Sequence, residues 1–147
     1  MKLQTPNESH QPVAEKAEVT FPSGLIGLPN LTRFQLIVDP KLYPLVVLRH
    51  LGEEELDYMA VDPSIVLKTY SMVIPDADAE ELGISPDGEC PIILNIAIVH
   101  PTNPKKATAN LQSPLIINRQ TGVGKQILLE NCSSYAVDHE LDLQENP

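Results

Sequence analysis

The chain has 147 residues, of which 42% are hydrophobic and 4% aromatic, with no Trp. That length fits one domain and leaves little room for a second, while the apolar share rules out a wholly disordered chain and implies a core of Ile, Leu and Val. Twenty Asp and Glu face ten Lys and Arg, a formal net charge of -10, which repels phosphate backbones at long range and weighs against direct nucleic-acid binding.

The N-terminal stretch MKLQTPNESHQPVAEK lacks the apolar segment of a secretory signal. The longest apolar run, over 91–99, is interrupted by Asn95 and is too short to span a membrane. Cys90 and Cys132 are too few for a secreted disulfide framework and are read as free thiols in a cytoplasmic protein.

In chain order, residues 1–17 hold Pro6 and Pro12 among polar residues and read as a loose N-terminal arm with at most one weak strand. A single β-rich domain follows over 18–131. Its first segment, 19–21, leads into a turn-rich stretch with Gly24 and Gly27 among apolar residues, a loop lying on the core. Residues 33–38 alternate, with Phe34, Leu36 and Val38 on one face, and predict a half-buried strand. Strands over 45–51 and 56–61 flank Gly52-Glu53-Glu54-Glu55 and are expected to pair as a hairpin. Pro63 suits the first position of a short helical turn, and 70–74 reads as another strand. The clearest helix is 76–82, acidic at its start and stopped by Gly83; being short, it must dock through Ala77, Ala79 and Leu82.

The β-branched run over 92–99 predicts a strand buried on both faces. Two further strands over 107–111 and 115–118 lie either side of Pro114, and the Gly122 and Gly124 turn returns the chain into a strand over 125–129. Residues 132–147 read as a polar, acidic tail that packs poorly. The sum is an all-β, mainly antiparallel fold with one or two short helices, a small barrel or a sandwich, which pattern alone does not separate.

Chemistry-bearing motifs are scarce. His10, His50, His100 and His139 are far apart and lack paired metal-ligand spacing. Neither cysteine has a nucleophile signature, and no phosphate loop, dinucleotide fingerprint or Gly-x-Ser-x-Gly occurs. The expectation is therefore a protein without catalytic residues, metal or cofactor. Acidic clusters at Glu53 and Glu54, and at Asp76, Asp78, Glu80 and Glu81, sit in a turn and a helix start, where full solvation is expected. They are candidate contacts for a basic partner. Asn110 and Asn118 stand within or at the ends of apolar strands; a buried amide there must be hydrogen-bonded, so each is expected to pin a neighbouring loop, with partner contact as a further role.

Taken in order, several segments resemble the flagellar assembly factor family FliW. The strongest match is Thr108-Ala109-Asn110-Leu111, then Pro114 with Leu115-Ile116-Ile117-Asn118, then Gly124-Lys125-Gln126-Ile127-Leu128. Thr20-Phe21-Pro22-Ser23-Gly24-Leu25, Asp62-Pro63 and Ile74-Pro75-Asp76 leading to Glu81-Leu82-Gly83-Ile84 support it. Family members often carry Pro and Phe where this chain has Ile26 and Leu28. The resemblance implies a compact antiparallel barrel-like fold without catalytic activity and two protein partners, flagellin and the translational regulator CsrA. In that scheme flagellin holds the factor until export; the released factor then captures CsrA, away from its RNA site, and relieves repression of flagellin translation. A basic RNA-binding partner suits an acidic antagonist. The alternatives are a flagellin chaperone without a regulatory arm, which an exposed apolar patch would favour, and a small barrel enzyme or ligand carrier, which a deep polar pocket would favour.

Overall fold

The computed structural model describes residues 1–4, 16–52, 56–67 and 69–143. Its elements in chain order are β1 (Lys2–Gln4), β2 (Lys16–Thr20), β3 (Arg33–Ile37), β4 (Leu45–His50), β5 (Asp57–Val61), α1 (Pro63–Val66), β6 (Ser71–Val73), α2 (Asp76–Leu82), β7 (Ile92–Val99), β8 (Lys106–Ala109), β9 (Leu115–Ile117), β10 (Gly124–Gln126) and β11 (His139–Asp142). All the strand pairs are antiparallel.

The main sheet runs β10-β9-β7-β5-β4-β3-β2. It curls until its two ends touch: Thr20 N–H donates to the Gly122 carbonyl at 2.9 Å, and Thr20 bridges Val123. The result is a small, barely closed barrel, joined at the seam by a bridge instead of a ladder. Alternation along each strand then sorts side chains into two cores. Val19, Phe21, Phe34, Leu36, Leu48 and Leu115 fill the barrel, with Phe21 and Phe34 edge to face at 5.6 Å. Val61, Met72, Ile74, Leu82, Ile93 and Ile116 form a second core outside it. That outer core lies beneath the β1–β6 ribbon, helix α2 and the C-terminal segment.

Two expectations are corrected at the chain ends. The N-terminal arm contributes β1, paired with β6 from Lys2 opposite Val73 to Gln4 opposite Ser71, and the first two residues of β2; residues 5–15 lie outside the described residues. The tail also packs. Tyr135 lies edge to face on Tyr70 at 4.8 Å, and its hydroxyl donates to the Ser71 carbonyl at 3.0 Å. Asn131 bonds Val73 N–H at 3.0 Å and the Ser71 carbonyl at 2.9 Å, taking the place of a strand along the free edge of β6. Further on, β11 pairs with β8, placing Leu141 opposite Ala107. Local alternation over three or four residues is too short to announce such strands, whose partners lie far away in sequence.

Strand β7 is where the sheet forks. Residues 92–94 pair with β9, while 97–99 pair with β8. The β9–β10 branch closes the barrel, and the β8–β11 branch splays away from it. The expectation that β7 is buried on both faces holds over residues 93–95 and fails towards its C-terminal end, where Ile98, beyond the last β5 pair at Ala97, is 69% exposed.

Candidate interaction surfaces

Helix α2 holds four of the six acidic candidates. Asp76 and Asp78 occupy its first turn, favourable against the macrodipole, and Gly83 ends it at a φ of 69° with its N–H on the Glu80 carbonyl. Ala79 and Leu82 are buried and dock it on the outer core, whereas Ala77 is not among the buried residues. The carboxylates are not uniformly solvated. Lys125, from β10, places its Nζ 2.6 Å from Asp78 Oδ1 and 3.1 Å from Glu81 Oε2. The Asp78 side chain is only 20% exposed, so this pair is partly shielded from water. The hydrogen bond that Lys125 donates to Asp78 is the main cause holding its ammonium above its ordinary pKa, followed by that to Glu81. Asp76 is open to solvent and accepts from the Met1 amine at 3.0 Å. Glu80 is exposed. Glu53 and Glu54 lie outside the described residues.

Asn118 and Asn110 both act on backbone. Asn118 donates from Nδ2 to the Leu82 carbonyl at 2.8 Å and accepts from Gln120 N–H at 2.8 Å and Thr121 N–H at 3.3 Å. It thereby ties the end of α2 to the β9–β10 turn. Asn110 accepts through Oδ1 from Gln112 N–H at 3.0 Å and Ser113 N–H at 3.2 Å, an Asx turn that bends the chain out of β8. Neither amide is spread on the surface as a contact residue alone.

A residue that sequence reasoning treated only as an interruption proves central. Asn95 is fully buried at the fork of β7. Where β8 has left the ladder and β9 has not yet joined it, carbonyls lose their strand partners. Asn95 Nδ2 donates to the Asn110 carbonyl at 2.8 Å, and the Tyr70 hydroxyl donates to the Leu111 carbonyl. The signal was present: a lone amide in an apolar β-branched run must be hydrogen-bonded to be buried. Its Oδ1 has no hydrogen-bond partner among the described atoms. Burial, foremost, raises the Tyr70 phenol far above its ordinary pKa, so it stays a donor at any physiological pH.

Two hollows flank the fork on its outer side. One, of about 250 Å³ at the barrel mouth, is lined by Ile26, Leu28, Tyr58, Ile96 and Ile98. The other, of about 410 Å³, lies over β8 and β11 and shares Ile98 and Thr108 with the first. Their walls are mainly apolar. Among the described residues no cluster of three or more potential metal ligands occurs. Cys90 and Cys132 are free thiols, and burial is the main cause pushing the Cys90 thiol up, which leaves it poorly ionised. No described helix is long and apolar enough to cross a membrane.

An antiparallel barrel, barely closed and forked at β7, is a fold that this chain shares with a flagellar assembly factor. The solved crystal structure of the flagellar assembly factor FliW superposes with a TM-score of 0.71 at 24% identity, over 97% of this chain and 98% of that one. The family model described as FliW protein matches residues 2–141. Flagellar assembly factor FliW of Thermotoga neapolitana is 34% identical over 121 residues, 82% of this chain and 80% of its own length. That of Natranaerobius thermophilus is 31% identical over 141 residues, 96% of this chain and 92% of its own length. The chain belongs to the FliW family.

Proposed function

We propose that this chain is a cytoplasmic, non-enzymatic regulatory protein that binds flagellin and the translational regulator CsrA in alternation. While flagellin occupies it, CsrA is free to repress flagellin translation; once flagellin is exported, the freed chain captures CsrA and translation resumes. The observation that carries this reading is the family match across residues 2–141 in a chain of net charge -10. CsrA works by holding RNA phosphates and so presents basic surface, which an acidic antagonist attracts and recognises.

The test is to titrate the purified chain with CsrA, with monomeric flagellin and with both together. The expected result is micromolar or tighter binding of each and displacement of one by the other. Absence of binding to both at micromolar concentration overturns the proposal. A second reading, a flagellin chaperone with no regulatory arm, is favoured by the exposed apolar side chains of Ile98 and Val137. Binding of flagellin with no binding of CsrA selects it.

A further inference from the structure

The outer face of the fork bears more exposed apolar surface than the fold itself uses. Ile98 is 69% exposed, Ile26 58%, Val137 55% and Leu28 40%. Single exposed apolar side chains are ordinary, but these are gathered: all four line one hollow, and Ile98 forms the ridge between it and the second hollow over β8 and β11. Along the sheet, Ile98 pairs with Thr108, which pairs with Glu140, so the row that starts at Ile98 ends on an acidic rim. In the next row Lys106 is opposite Asp142, while His100 stands at the end of β7. Glu140 thus has a threonine, not a cation, as its cross-strand neighbour.

Charge selects the kind of occupant. A second copy of a chain carrying -10 is repelled at long range, and so is an anionic lipid surface. A strand added to the edge of β11 leaves the barrel mouth uncovered. A helix fits the shape, because apolar side chains one or two turns apart on one stripe enter the two hollows on either side of Ile98. We propose that this groove docks one amphipathic helix of a partner protein, its apolar stripe on Ile26, Ile98 and Val137 and a Lys- or Arg-bearing flank against Glu140. The inference rests on the reading above that the chain works by holding partner proteins.

Monomeric flagellin is the probe, being the proposed partner whose ends are amphipathic helices. Its affinity is measured for the full chain and for Ile98→Asp, Val137→Asp, Glu140→Lys and Leu128→Asp, with folding of each checked by circular dichroism and thermal unfolding. The two aspartate variants in the groove are expected to bind at least about tenfold more weakly while remaining folded. Glu140→Lys is expected to weaken binding less and to flatten its salt dependence. Leu128, 56% exposed and outside both hollows, serves as the control, with affinity kept within about twofold on substitution. Unchanged affinity of folded Ile98→Asp and Val137→Asp overturns the groove while leaving the proposed function standing. A wild-type chain that binds no flagellin overturns both. Self-association of the wild type that Ile98→Asp abolishes assigns the face to a second copy and also overturns the proposal.

Discussion

Helix α2 carries four carboxylates in seven residues, whereas the fork around Ile98 exposes apolar side chains and keeps its carboxylates at the rim. By composition α2 looks like the contact surface and the fork like core. The geometry reverses much of that. Asp78 and Glu81 converge on Lys125, so part of the helix's charge is neutralised within the molecule. Ile98, Val137, Ile26 and Leu28 have no such internal use. The difference teaches that charge density along a sequence does not identify a contact face until cations from distant strands are placed beside it. An apolar run likewise does not identify core until its ladder partners are known.

The sharpest way to break this comparison is at the fork itself. Asn95→Ala leaves the partly buried Asn110 carbonyl without its Asn95 donor, and thermal unfolding is expected to show a loss of about 2 kcal/mol. A loss near zero would mean that the fork does not depend on this amide. Next, Lys125→Met leaves Asp78 partly buried beside Glu81 with no counter-ion. A loss of about 1 kcal/mol is expected in denaturant unfolding, between the values for exposed and buried pairs. A smaller effect is expected for Ile98→Asp, whose stability should change by less than about 0.5 kcal/mol because the side chain already faces water.

The smallest effect is on pH dependence. The folded-state pKa of Lys125 is raised, so its pair with Asp78 stabilises fully below the ordinary lysine pKa. That contribution fades as pH rises through the raised value. The stability gap between wild type and Lys125→Met is therefore expected to be constant through neutral pH and to close only in strong alkali. A gap closing already at mildly alkaline pH would place the origin elsewhere.

Much of this architecture was legible in the sequence. Phe34 and Leu36 alternate and lie in the barrel; Gly83 stops α2; Gly122, at a φ of 72°, turns the chain into β10. Those signals are local. The β1–β6 and β8–β11 pairs were not legible, because each joins one short, polar segment, β1 or β11, to a strand that lies far from it along the chain. The candidate contacts were legible only as residue types. Asn110 and Asn118 announced themselves as amides in apolar strands and do bind backbone, while Asp78 read as solvated because nothing near it in sequence foretells Lys125. The groove was hidden for the same reason: Ile98 looks buried until the pairing of β7 with β5 is seen to end at Ala97.

Amide hydrogen exchange of the chain, alone and saturated with monomeric flagellin, compares the two regions in one measurement. The account predicts slower exchange on binding in β8, the segment around Val137 and β11, with α2 unchanged. Slowing confined to α2 and β10, with the fork unaltered, would contradict it.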